Sequence, residues 1–312
     1  MISRRHIRIK VMQSVYALQT QHSDDLVKEE KFIRSSIDKM YQLYALELQL
    51  LVELKKLANK LHKVSVENRK TLGQSEMPNA KFVENSAIEI LESSTSLATY
   101  IEENHLNYWQ DHDEYVRIIY DLMTESSDYA AYMNSNTNSF VEDHKFIQKL
   151  FSEIIAPNDK LDEFYEDSFI GWVDDLPFVN TWVLKTLRDL NPKNVYVLPA
   201  LYKNEEDEAF GVELFRKVVL NQDKYQEEIV KKTPNWDIDR IAETDLILIA
   251  MGIAEFLEFP SIPVRVSMNE YIEIAKDYST EKSGYFINGV LDKIQKDFAG
   301  SKRLNKIGRG LQ

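Results

Sequence analysis

The sequence predicts an all-α protein, and three observations carry that prediction. Only 9 Gly and 8 Pro punctuate 312 residues, and no proline occurs before Pro78. Leu, Ile, Glu and Lys, all residues that helices tolerate well, are abundant. Apolar residues also recur at helical spacing along much of the chain. Hydrophobic residues make up 44% of the chain, enough to bury a core. The length suits two ordinary domains, or one domain carrying a large insertion.

The first helix is predicted over residues 3–21, with Ser3 as N-cap. Ile7, Val11, Val15 and Leu18 form one apolar stripe, and Ile9, Met12 and Tyr16 form a second on nearly the opposite side. A helix apolar on two faces is expected between neighbours, with its basic first turn emerging from the core. Residues 30–63 read as one long helix whose apolar positions include Ile33, Ile37, Met40, Tyr44, Leu48 and Leu51. The polar stretch 65–79, with Gly73 and Pro78, reads as a linker. Helices are expected again over 80–107, 113–133 and 139–155, with the Asn- and Ser-rich run 134–139 as a loop.

Further helices are expected over 208–231 and 239–258. The second is almost continuously apolar from Leu246 to Ala254, as a central buried helix would be. Pro260 and Pro263 mark a tight connection. Ser267-Met-Asn-Glu270 has the spacing of a capping box and predicts a helix running to about Tyr278, with Asn269 and Glu270 assigned to capping. A last helix is expected from Thr280, with Ile287, Leu291, Ile294 and Phe298 as its core stripe.

An internal echo runs at a constant offset of 64 residues. Leu150-Phe151 matches Leu214-Phe215, Asp159-Lys160 matches Asp223-Lys224, and Glu163 matches Glu227. Trp172 then matches Trp236, and Asp175 matches Asp239. This pattern suggests a degenerate duplication; convergent helical patterning is the plainer alternative.

The net charge is −13, but the two ends are basic. Residues 1–22 hold Arg4, Arg5, Arg8 and Lys10 and no acid, and residues 299–312 hold Lys302, Arg303, Lys306 and Arg309 and no acid. The ends contribute +8 and the rest −21. An acidic body repels polyanions, so a nucleic acid would be confined to a basic end, unless those ends are merely solvated. No signal-peptide pattern or apolar run of 18 residues occurs, so no membrane span is expected. The absence of cysteine excludes disulfides, cysteine-ligated zinc and a cysteine nucleophile, and fits a reducing cytoplasm.

Catalytic chemistry finds no foothold. No glycine-rich phosphate loop is present, and the six histidines all precede residue 145 without metalloprotease spacing. Asp111-His-Asp-Glu114 could form a metal knot, but it reads better as a solvated loop, because adjacent residues on one turn do not converge on an ion. No catalytic residue, metal or cofactor is expected. Asp245, at the mouth of the most apolar helix, either complements that helix's dipole or faces a partner.

Two segments resemble the NusB transcription antitermination factors. Arg5-His-Ile-Arg8-Ile-Lys-Val-Met-Gln13-Ser-Val-Tyr16 is similar to the opening helix of that family. The second and more specific match consists of the run from Ile262-Pro-Val through Asn269-Glu270 to Lys276, and Ser283-Gly-Tyr-Phe-Ile-Asn-Gly-Val-Leu-Asp-Lys293. The resemblance covers about 1–25 and 205–298. It implies a pair of helical bundles interrupted by a helical insertion over 26–204, which the echo marks as a degenerate copy, and followed by a basic tail over 299–312.

The resemblance also implies function: binding of single-stranded boxA-type RNA together with NusE, within the RNA polymerase antitermination complex on ribosomal RNA operons. Carried over residue by residue, it assigns RNA contact to Arg4, Arg5, His6, Arg8, Gln13, Phe286, Asn288 and Lys293, and contact with NusE to Tyr16 and Asp245. Arginines can hold phosphates, and an aromatic ring can stack on an unpaired base. His6 stands where many members carry arginine, which implies weaker or pH-sensitive affinity. Lys282 stands where the family is often acidic. An RNA cytosine methyltransferase with a NusB-like domain is disfavoured, since only a basic tail follows and the catalytic cysteine is missing. A protein-interaction scaffold that has lost RNA binding is the second reading.

Overall fold

In the computed structural model, which describes residues 1–21, 25–234 and 240–311, the chain is all-helical, with no strand among the described residues. The helices are α1 (Arg4–Thr20), α2 (Leu26–Thr71), α3 (Ser86–Glu92), α4 (Thr95–Glu103), α5 (Tyr108–Asp111), α6 (Asp113–Glu125), α7 (Ser127–Asn134) and α8 (Phe140–Leu150). A π-helical turn over Phe151–Ile155 continues α8. Then come α9 (Asp159–Ser168), α10 (Trp172–Asp189), α11 (Glu205–Leu220), α12 (Gln222–Lys232), α13 (Glu243–Glu258), α14 (Val264–Tyr278) and α15 (Ser283–Gly300), with a 3₁₀ turn at Gly308–Leu311. None of these helices is long and apolar enough to cross a membrane.

The helices gather into two compact units: residues 1–37 with 200–312, and residues 38–199. In the first unit α1 packs against α11 and α13, and α14 and α15 pack against α13 and each other. Ile7, Val11, Val15 and Leu18 are all buried, and α13 is buried along most of its length. The α1–α11 crossing is close because residue 211 is glycine: a Cβ there would lie 2.9 Å from the Ile7 Cγ2 methyl. The second apolar stripe of α1 is only partly used. Met12 is buried, Ile9 is half-buried and Tyr16 is exposed, so α1 is covered mainly on one face.

The second unit is built around residues 38–71 of α2. Trp172 and Trp109, both buried, donate their indole N–H groups to α2 carbonyls, at Lys39 O (2.8 Å) and Leu46 O (2.9 Å). Tyr44 stacks on Trp182 with ring centroids 4.1 Å apart, and its hydroxyl is hydrogen-bonded to Thr186 and Tyr196. A buried tryptophan or tyrosine needs such a partner for its polar tip, and α2 supplies several.

Several expected boundaries shift. Helix α2 continues to Thr71, so the connection is shorter than 65–79; nothing from 65 to 71 breaks a helix, and Gly73, at φ +67°, provides the stop. The span 80–107 contains two short helices, because Asn85 and Ser94 turn their side chains onto following backbone N–H groups and restart the helix. Helix α14 begins at Val264, directly after Pro263, so Ser267 and Glu270 lie inside it and form no capping box. Helix α15 begins at Ser283 rather than Thr280, whose N–H takes the Ser283 hydroxyl as acceptor.

The echoed residues occupy similar places. Shifted by 64, the span 140–155 falls on 204–219 and α9 falls on 223–232, each within one residue of α11 and α12. Leu150, Phe151, Leu214 and Phe215 are all buried. Trp236 and Asp239 lie outside the described residues.

Candidate nucleic-acid interface

The basic first turn of α1 faces acids from three other helices. Ser3, in extended conformation, caps α1 by accepting from His6 N, and its hydroxyl lies 2.7 Å from His6 Nδ1. Arg4 donates to Asp207 (2.6 Å) and Glu206 (2.9 Å), with its guanidinium over the Phe210 ring. Those acids sit in the first turn of α11, where Asn204 caps Asp207 N and the helix dipole favours negative charge. Arg5 makes a two-pronged bond to Glu270 of α14, both contacts 2.9 Å.

Arg8 is a correction to the expectation that it meets RNA. Its side chain is only 3% exposed and is locked to Glu255 of α13 by bonds of 2.6 and 3.0 Å. Glu255 is fully buried and also accepts from Ser267 Oγ (2.5 Å) and Tyr271 Oη (2.6 Å). Burial works against the Arg8 charge, but the field of Glu255 and its hydrogen bonds outweigh it and hold the guanidinium above its ordinary range. A charge so enclosed cannot reach a phosphate; it braces α1 against α13 and α14. The Asn269–Glu270 capping assignment is corrected with it, since Glu270 instead bridges Arg5 to Arg8, whose Nη1 is 3.6 Å away.

Above this buried pair lies an open cleft of about 630 Å³. Its charged lining is Arg4, Arg5, Arg8, Lys203 and Arg309 against Glu206, Asp207 and Glu270. Ile262, Pro263 and Val266 give it an apolar side. His6 also lines it; burial, then the charges of Arg5 and Lys10, push its imidazole down to about 4, so it is neutral near pH 7. Arg5 is 42% exposed, and its pairing with Glu270 uses Nε and Nη2.

The cleft brings together Arg4, Arg5, His6 and, beneath them, Arg8. Its lining does not include Gln13, half-buried on α1, nor Phe286, Asn288 and Lys293 on α15, where Phe286 is half-buried and the other two are exposed. Tyr16 is an exposed aromatic on α1. Asp245 is not a surface acid: it is 5% exposed and accepts from Ser279 Oγ at 2.6 Å, tying the start of α13 to the α14–α15 turn. Asp111, His112, Asp113 and Glu114 are all exposed, and no group of three or more potential metal ligands occurs among the described residues.

Sequence reasoning gives no role to Glu255 or Lys203 and does not place Arg309. Glu255 had a readable signal, a lone acid between Ala254 and Phe256 in the most apolar helix. Arg309 falls in the basic tail of the sequence, and nothing local shows that the tail turns back.

A model of the NusB family matches residues 193–296. Among curated proteins, the chain is 47% identical over 102 residues to the transcription antitermination protein NusB of Salinibacter ruber, covering 33% of this chain and 64% of that protein. It is 40% identical over 102 residues to the protein of the same name from Chloroherpeton thalassium, covering 33% and 48%. It is 40% identical over 93 residues to that of Bacillus licheniformis, covering 30% and 72%. The chain thus spans about half to two thirds of the first two relatives' length. No solved structure matches.

Proposed function

Because the chain belongs to the NusB family, we propose that it is a transcription antitermination factor whose unit of residues 1–37 and 200–312 binds single-stranded boxA-type RNA together with NusE in ribosomal RNA transcription. The observation that carries this reading is the cation-rich cleft at the first turn of α1, in a protein that is otherwise strongly acidic. Such a charge pattern repels polyanions everywhere except at one place. Arg5 is the best-placed contact. Its two bonds to Glu270 fix the guanidinium plane, and a guanidinium has five N–H donors, so donors remain for a phosphate oxygen. Tyr16 is the proposed NusE-facing residue, and the remainder of the chain is an insertion with a scaffolding role. No catalytic step and no cofactor belong to this reading.

One observation favours the scaffold reading: Arg4, Arg5 and Arg8 each have a carboxylate partner, so their charge is largely neutralised within the chain. Arg5→Ala in the full chain separates the two readings. An RNA-binding cleft predicts weaker binding of boxA-type RNA and a log–log salt slope shallower by about 0.7 for the lost phosphate contact. A scaffold predicts neither change. Thermal unfolding should hardly move, because a partly exposed ion pair is worth about 0–1 kcal/mol, and this keeps the binding result from being read as misfolding.

A further inference from the structure

The family match ends at residue 296, but the chain beyond α15 stays on the surface of its own unit. Arg303 pairs with Glu228 at 2.9 Å and lies over the Phe298 ring. Lys306 donates to the carbonyls of Glu255 and Phe259, both at 2.9 Å, as a second donor beside the backbone N–H groups of Phe259 and Ile262, and its charge complements the C-terminal end of α13. Ile307 N donates to Pro260 O at 3.0 Å. Gly308 adopts φ +52°, and a Cβ on Gly310 would lie 1.9 Å from the Pro260 carbonyl oxygen. Two glycines therefore stand where other residues would be strained or would collide. The path of this segment is specified, and its result is to place Arg309 in the lining of the cleft, where its charge acts on Glu206, a partner of Arg4.

We propose that this returning segment completes a phosphate-binding site, in which Arg309 and Lys203 grip the backbone of single-stranded RNA crossing the cleft. The inference rests on the reading that the cleft binds RNA, and it names the residues that supply the attraction. The arginines of α1 share their charge with Glu206, Asp207, Glu270 and Glu255. Arg309 and Lys203 line the same cleft, are exposed, and make no ion pair within 4.0 Å among the described residues, although the charge of Arg309 still acts on Glu206. With Arg5, they are the cations whose counterions an incoming phosphate would displace. Arg4 and Arg8 then act as a fixed, largely neutralised floor, and the two cations from outside α1 add affinity without sequence preference.

The test uses the full chain and two short single-stranded RNAs, one of boxA type and one scrambled, titrated over a range of salt. Arg309→Gln and Lys203→Gln are each expected to weaken both RNAs several-fold, and together roughly tenfold, with the salt slope shallower by about 0.7 for each removed contact. Gly310→Ala, which displaces the segment without removing a charge, is expected to reproduce the Arg309→Gln deficit. Unchanged affinity and slope in the two charge variants, with wild type binding normally, would overturn the clamp and leave the RNA reading standing. So would a loss confined to NusE binding, which would make these cations a protein contact. If wild type binds neither RNA at any salt, the RNA reading falls and the clamp with it.

Discussion

Glu255→Ala should destabilise the unit formed by residues 1–37 and 200–312 by about 3–5 kcal/mol, the usual cost of removing one partner of a buried ion pair. The substitution leaves the Arg8 guanidinium enclosed at 3% exposure with Glu270, 3.6 Å away, as its remaining carboxylate. It also strips the Ser267 and Tyr271 hydroxyls of their acceptor. The dominant cost is therefore the desolvated charge left behind, with two unsatisfied hydroxyls adding to it. Glu255→Gln, which keeps shape and one acceptor oxygen, should cost less. The pair of substitutions Arg8→Met and Glu255→Leu should recover much of the loss, because apolar side chains carry no desolvation penalty. Denaturant unfolding, with hydrogen exchange of the α13 amides to identify the unit, measures all three. A loss below about 1 kcal/mol in Glu255→Ala would mean that water reaches Arg8 and that the pair is not buried.

Trp172→Ala should remove about 3–5 kcal/mol from the other unit, as large-to-small changes of a buried tryptophan do. The ring is fully buried against Tyr108, Tyr165 and Phe169, and its N–H satisfies Lys39 O on α2. Truncation opens a cavity and removes the hydrogen bond that joins α10 to α2. Trp172→Phe keeps most of the apolar volume and should lose about 0.5–1.5 kcal/mol, chiefly through the lost hydrogen bond. Hydrogen exchange should show protection falling in residues 38–71 and in α10 while α13 is unaffected. Equal loss in α13 would show that the two units unfold as one.

The helical class and most helices could be read from spacing and breakers, because those signals are local. Ser3 caps α1 where its sequence places it, and the apolar run of α13 is buried along most of its length. The long-range pairings carried weaker signals. Arg8 meets Glu255 across 247 positions, and a basic first turn does not say which of its arginines points inward. Periodicity held a clue: Arg8 lies three residues before Val11 and four before Met12, both buried, so it continues the core stripe. The Ser267–Glu270 spacing misled for a related reason. Positions three apart share a helix face, and here both residues serve the Arg8–Glu255 cluster from inside α14 instead of capping it. The division of 80–107 turned on whether Asn85 and Ser94 would cap or stay helical, which depends on neighbours distant in sequence. The return of residues 303–311 depends on the carbonyls of Glu255, Phe259 and Pro260, which no local pattern announces.

The most direct test of the central claim is a titration of boxA-type single-stranded RNA into the full chain, with and without NusE, over a range of salt. Three phosphate contacts, from Arg5, Lys203 and Arg309, predict a log–log slope of about −2. Affinity is expected to rise when NusE is present. Absence of RNA binding in both conditions, or binding indifferent to salt, would contradict the claim that this cleft is a nucleic-acid interface.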